Sequence, residues 1–277
     1  MSQARTPSPR ADEAAAERQP APPHEPRQPA AATGSRWLLL GLRYAGRPIF
    51  LALVLLVLFL WLGSQQLDPI EQRSLSMVAI KIQTLQHIQL AVVSTVIVVI
   101  LAVTTGILLT RSFARAVAPI IIGIANIGQA VPSVGLLALF AIVWTFGFWP
   151  AIVALVAYSF LAILRNTMVG LQQVDHAIIE SARGMGMTKT ATLFRIELPL
   201  AVPIILAGVR TALILNVGTA TLATFIGAGG LGTMIKAGIA LSRITVIVTG
   251  AVLAAVLALL IDWIAAIAEE FLRPKGL

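Results

Sequence analysis

The chain contains no cysteine. That excludes disulfides, thiolate metal sites and cysteine nucleophiles, and it says nothing about compartment. Charge is also scarce. Asp, Glu, Lys and Arg make up 12% of 277 residues, against about 25% in a soluble domain. The three histidines, His24, His87 and His176, all lie outside the long apolar runs. A buried Ser–His pair or a histidine metal site inside those runs is thereby excluded. No G-x-x-x-x-G-K-S/T phosphate loop occurs, so the chain has no nucleotide site of that kind. Neither a catalytic constellation nor a metal site is expected, and no cofactor.

What is present is apolar. Hydrophobic residues reach 58%, with mean hydropathy +0.90. Several apolar runs hold 18 or more residues, the length that crosses a bilayer as helix. Strands are excluded there, because an open strand would leave its backbone unpaired in lipid. The expectation is an all-α polytopic membrane protein with about six transmembrane helices, over 48–63, 88–110, 117–146, 150–166, 199–224 and 244–268. The third run is long enough to be tilted, kinked or broken.

The net charge of +8 could suggest nucleic acid. The basic residues, however, sit at span ends rather than in a patch interleaved with aromatics. Outside the tail, eleven Lys/Arg fall on one side, among them Arg36, Arg43, Arg47, Arg111, Arg115 and Arg183. Four fall on the other: Arg73, Lys81, Lys236 and Arg243. That asymmetry puts both termini in the cytoplasm and loop 167–198 on the same face. Residues 1–35 hold seven of the fifteen prolines and equal numbers of Arg and acids. Such a segment buries too little surface to offset ordering and is expected to be a disordered cytoplasmic tail.

Loop 167–198 is too structured for a mere connector. Val174, Ile178 and Ala182 recur at helical spacing over about 172–183. Gly184 and Gly186 end that helix. Thr188 can cap a second helix carrying Met187, Ala191 and Phe194 on one side. Pro199 and Pro203 open the next span. A helix–turn–helix elbow lying along the membrane face is expected.

These residues resemble the cytoplasmic motif of permease subunits from binding-protein-dependent ABC importers. In that motif Glu-Ala-Ala is followed by three residues, Gly, nine residues, Ile, one residue and Leu-Pro. Here Glu180-Ser181-Ala182 leads to Gly186, then to Ile196 and Leu198-Pro199. Every spacing agrees, and Ser181 for the first Ala is the one departure. The stretches QAVPSVGLLAL (129–139), RIELPLAVPIILAGVRTA (195–212) and VGTATLATFIGAGGLG (217–232) resemble permeases for glycine betaine, choline, carnitine and related osmoprotectants.

The resemblance covers about 85–270. It implies a type I ABC importer permease fold in a bacterial inner membrane. It also implies the partners: two cytoplasmic ABC ATPase subunits, an extracytoplasmic substrate-binding protein, and a second permease, self or sister chain. In that family the loop is the coupling helix that docks on the ATPase. Glu180, Ala182, Gly186 and the flanking Arg183 would form the contact, within a motif that includes Ser181, Gly184, Ile196, Leu198 and Pro199.

Polar groups at membrane depth usually face a bundle interior. Asn126, Gln129, Pro132, Asn216 and Thr219 are candidates for the translocation path. Interhelical hydrogen bonding and proline kinking account for the same residues. Asp262, near the end of the last span, is expected to pair with an arginine. Gly227-Ala-Gly229-Gly-Leu-Gly232 fits G-x-G-x-x-G, but it follows a span rather than a strand and no acid lies about 20 residues on. Close backbone packing in an outer loop is its expected use. The alternatives are an importer permease for another solute such as an amino acid, or a secondary transporter. The latter needs internal repeats and a midplane carboxylate, and neither is seen.

Overall fold

The computed structural model describes the backbone of residues 33–272 and the side chains of 45–272. The expectation for the tail 1–35 therefore falls outside the described residues, apart from the first residues of helix α1. The chain divides into two units, 1–44 and 45–277; everything below concerns the second. Among the described residues every regular element is helical.

Helix α1 (Thr33–Ser64) contributes the apolar stretch Ala45–Ser64. A short helix α2 (Pro69–Ser74) is fixed by Asp68, whose carboxylate accepts from the amides of Ile70 and Glu71 while Glu71 accepts from the Asp68 amide. Helix α3 (Met77–Thr110) starts at a Ser76 cap and runs 34 residues. At 1.5 Å per residue that is about 50 Å, well beyond the roughly 30 Å hydrocarbon core. His87 therefore lies inside a helix, fully buried. This corrects the expectation that all three histidines sit outside the helical spans: the helix overruns the bilayer, and hydropathy alone reports only its apolar part.

The third apolar run is broken. Helix α4 (Ala118–Ala130) and helix α5 (Ser133–Val143) meet at a bend of 100°. Val131 is extended (φ −68, ψ 132), as a residue before proline prefers, and Pro132 cannot continue the hydrogen-bond ladder. Helix α6 (Phe148–Gln172) is the hub, packing against α3, α4, α5 and the later helix α9 (Leu198–Ala223). Between α6 and α9 lie α7 (His176–Gly184), α8 (Lys189–Thr192) and a π-helical turn, Leu193–Glu197. A 3₁₀ turn (Thr224–Ile226), α10 (Gly232–Ala240) and α11 (Ile244–Leu272) complete the chain.

Lipid tails are as apolar as leucine, so close van der Waals contact between small residues has to hold such helices together. Three neighbouring positions of α6 show how. A Cβ on Gly106 of α3 would come within 2.7 Å of Thr167, and one on Gly208 of α9 within 2.6 Å of Asn166. Arg165 reaches across to α4, donating to Asn126 at 2.8 Å. The core between α3, α6 and α9 is built from Val98, Ala102, Leu161, Leu164 and Ala212.

Candidate functional site

The elbow between α6 and α9 is built from its caps. Asp175 starts α7 by accepting from the Ala177 amide at 2.9 Å. The helix stops in a left-handed turn at Gly186 (φ +88). The Gly186 amide donates to the Arg183 carbonyl and the Met187 amide to the Ala182 carbonyl, the paired bonds of a Schellman ending. Thr188 then caps α8 through the Ala191 amide. The π turn joins α8 to α9 with no intervening loop. The elbow thus enters α9 without a flexible loop.

Its display is selective. Glu180, Ser181, Arg183, Gly184 and Gly186 are all exposed, whereas Ala182 is buried. Glu180 also lies 3.2 Å from His176 one turn earlier, a contact that is ionic only when the imidazole is protonated. Ile196, Leu198 and Pro199 are half-buried at the root of α9; they hold the elbow rather than present it. Met185 and Phe194 are exposed, at 78% and 62%. The expected apolar stripe on the second helix is therefore only partly covered. Met185 was not singled out in the sequence, although an apolar residue inside a polar turn is a signal that could have found it.

The root of the elbow carries an ion pair. Arg111, at the end of α3, reaches Glu197 in the π turn with Nη2–Oε2 at 2.6 Å and Nη1–Oε1 at 3.4 Å. Glu197 is buried. Further along α9, Arg210 pairs with Asp262 at 2.7 Å and Glu269 at 3.5 Å, and Arg47 of α1 reaches the second Asp262 oxygen at 3.5 Å. The expected partner of Asp262 is thus two arginines, from two helices.

The polar residues within the helices fall into two groups. Asn126, Gln129 and Pro132 lie on α4 and at its break, all at least partly exposed. Asn216 and Thr219 are buried on α9. The Asn216 amide donates to Thr95 of α3 at 3.0 Å. Among the described residues the hydrogen bonds of Asn126 and Asn216 go to different partners, Arg165 and Thr95.

At the far end from the elbow, the glycine-rich segment packs on α3. Gly227, Gly229 and Gly230 all have positive φ, and the Gly230 and Leu231 amides donate to Gln86 and His87. A cavity of about 600 Å³ beside it is lined by Gln83, Gln86, Thr224, Gly229 and Lys236, among others.

Residues 102–274 match the family described as binding-protein-dependent transport system inner membrane component. The choline transport system permease protein OpuBB of Bacillus subtilis is 45% identical over 195 residues, 70% of this chain and 89% of that protein. The carnitine transport permease protein OpuCB of Listeria monocytogenes is 41% identical over 196 residues, covering 71% and 89%. The osmoprotectant import permease protein OsmY of Salmonella typhimurium is 38% identical over 211 residues, covering 76% and 87%. Among solved structures, an inward-facing form of the MetNI methionine ABC transporter superposes with TM-score 0.63 at 26% identity, over 72% of this chain and 98% of that one. Such family membership implies ATPase and substrate-binding protein partners. The chain belongs to the inner-membrane components of binding-protein-dependent transport systems: it is an ABC importer permease, a transport subunit and not an enzyme, with ATP hydrolysis in a separate subunit.

Proposed function

We propose that this permease imports quaternary ammonium osmoprotectants such as glycine betaine, choline or carnitine, with the α7–α8 elbow as its contact with the ATPase. The observation that carries the solute class is the agreement with permeases named for those solutes over most of their length. The elbow supports the contact. It is stiff, capped at both helices, continuous with α9, and it displays Glu180, Arg183 and Gly186 beside exposed Met185 and Phe194. Rigid-body closure of an ATPase is passed on by such an element and absorbed by a flexible loop.

In this reading the elbow and both termini face the cytoplasm, as the Lys/Arg asymmetry favours. A second permease, identical or sister, completes the path. Asn126, Gln129 and the break at Pro132 line it. Asn216 and Thr219, covered within a single chain, stiffen the wall behind. Quaternary ammonium recognition uses aromatic cages, and aromatics are only 6% of this chain, so discrimination resides in the binding protein.

The test is reconstitution in liposomes with the ATPase and binding protein, measuring ATP-dependent uptake of glycine betaine, choline and carnitine, with methionine as the control. Uptake of methionine alone would overturn the solute class. Gly186→Trp and Glu180→Lys are expected to lower uptake by more than about tenfold, at the upper part of single-contact effects. A Cβ at Gly186 meets nothing within 4 Å, but its φ of +88 makes Gly186→Trp strain the turn as well. Glu180→Lys, at an exposed position, reads the contact without that strain, and the amount of membrane-inserted chain is measured for both. Normal uptake by both variants overturns the docking assignment.

A further inference from the structure

We infer that α3 is a tie rod between the two ends of the permease, with Arg111 and the pair Gln86/His87 as its joints. The inference rests on the elbow being the point where the ATPase acts. It asks how a displacement there reaches the glycine-rich segment at the opposite end, beside the 600 Å³ cavity.

Helix α9 runs between the same two ends, but it is a poor transmitter. It follows a π turn at Leu193–Glu197, has Pro199 in its first turn and holds Pro203 in its interior. π turns and prolines are where helices bend. Helix α3 contains no proline over 34 residues. The 24 residues from His87 to Arg111 span about 36 Å of unbroken helix.

Both ends of this rod are fastened to the moving parts. At the elbow, Arg111 grips Glu197 through two contacts, 2.6 and 3.4 Å, with the Glu197 side chain 9% exposed. Screening is weak at such a site and the geometry is specific. At the other end Gln86 Oε1 accepts from the Gly230 amide at 3.1 Å. His87 is fully buried and uses both ring nitrogens: Nδ1 accepts from the Leu231 amide at 3.3 Å, so Nε2–H donates to the Val217 carbonyl at 2.9 Å. Glycines at 229 and 230 let the backbone come this close: a Cβ on Gly230 would approach His87 Nδ1 to 3.2 Å. Between the joints, Thr95 on α3 meets Asn216 on α9. An elbow movement that pulls Glu197 therefore draws α3 and, with it, residues 230–231. Arg111, Gln86 and His87 are positioning residues in this scheme.

The experiment uses the full complex in liposomes and reads three quantities: solute uptake, ATP hydrolysis with and without loaded binding protein, and the ATPase that copurifies with the permease. Arg111→Gln, Glu197→Gln and Gln86→Leu are each expected to reduce uptake by about tenfold, within the usual range of coupling between sites. ATPase stays bound and hydrolysing, but stimulation by loaded binding protein is lost. Arg111 and Gln86 act on one path, so Arg111→Gln combined with Gln86→Leu should be no worse than the poorer single variant. The charge reversal Arg111→Glu with Glu197→Arg, and the acceptor-keeping Gln86→Glu, should restore uptake and stimulation.

Losses that multiply in the double variant, single variants that remain stimulated, or no recovery in Gln86→Glu would each overturn the rod. Should the Glu197 variant fail to accumulate, Gln86→Leu and Gln86→Glu decide alone, since Gln86 is exposed and its replacement leaves the core intact. Failure of the elbow reading has a different signature: Gly186→Trp and Glu180→Lys transport normally. If those abolish uptake and the joint variants do not, the rod alone is wrong.

Discussion

At the scale of single residues, Asp262 shows what a carboxylate inside a membrane protein requires. Its two oxygens face Arg210 at 2.7 Å and Arg47 at 3.5 Å. The partners differ: the Arg47 side chain is 58% exposed and the Arg210 side chain 31%. An exposed pair is screened and weak, whereas removing one member of a partly covered pair strands the other. Asp262→Ala should lower the unfolding free energy of the detergent-solubilised chain by about 1–3 kcal/mol, and Arg47→Ala by less than about 0.5 kcal/mol. Equal losses would mean that Arg47, not Arg210, holds Asp262. That Asp262 needs an arginine was legible, because an unpaired charge at that depth is costly. Which arginine was not legible, since Arg210 is 52 residues away and only helix packing brings them together. Arg111 and Glu197 were hidden likewise: one read as a topology marker and the other as the unspecified position before Leu198.

At the scale of elements, glycines on one helix should respond oppositely to the same methyl group. Gly208 and Gly218 both lie in α9. A Cβ at Gly208 meets the Asn166 Cβ at 2.6 Å, whereas one at Gly218 meets nothing within 4 Å. Gly208→Ala forces α6 and α9 apart and should cost about 1–3 kcal/mol. Gly218→Ala relieves only backbone entropy and should stabilise by about 0.5–1 kcal/mol. Unfolding of the isolated permease in detergent compares them directly, and a shared sign would refute the packing argument. The elements themselves were legible where local chemistry decides them. The Thr188 cap, the left-handed turn at Gly186 and the break at Pro132 all depend on neighbours in sequence. The π turn and the early start of α3 were not. The first carries Glu197, whose partner Arg111 lies 86 residues away, and the second is a polar helical extension that hydropathy does not register. His87 was lost with that extension, and with it the clamp on residues 230–231.

At the scale of the whole molecule, the broken pair α4–α5 decides the topology, because it either crosses the membrane or turns back. Five helices are long enough to cross, and the pair makes a sixth only if it spans. Two ion pairs support the larger count. Arg111 and Glu197 touch, so they share a side, and the chain between them holds the pair and α6. One crossing by α6 would separate them; two bring them back together. Asp68 and Arg243 also touch, at 2.6 Å, and between them lie α3, the pair, α6 and α9. Again the number is even only if the pair crosses. On that reading the 100° bend is a break within a span, and six crossings would place residues 66 and 240 opposite the elbow. Because the chain has no cysteine, single cysteines can test this without background. Gln66, Thr190 and Ala240 are all exposed. In sealed right-side-out vesicles an impermeant maleimide should label Gln66→Cys and Ala240→Cys at once, and Thr190→Cys only after permeabilisation. A re-entrant pair would move Gln66→Cys to the protected class while Ala240→Cys stays accessible. Labelling of Thr190→Cys in sealed vesicles would put the elbow on the outer face, beyond the reach of any cytoplasmic ATPase.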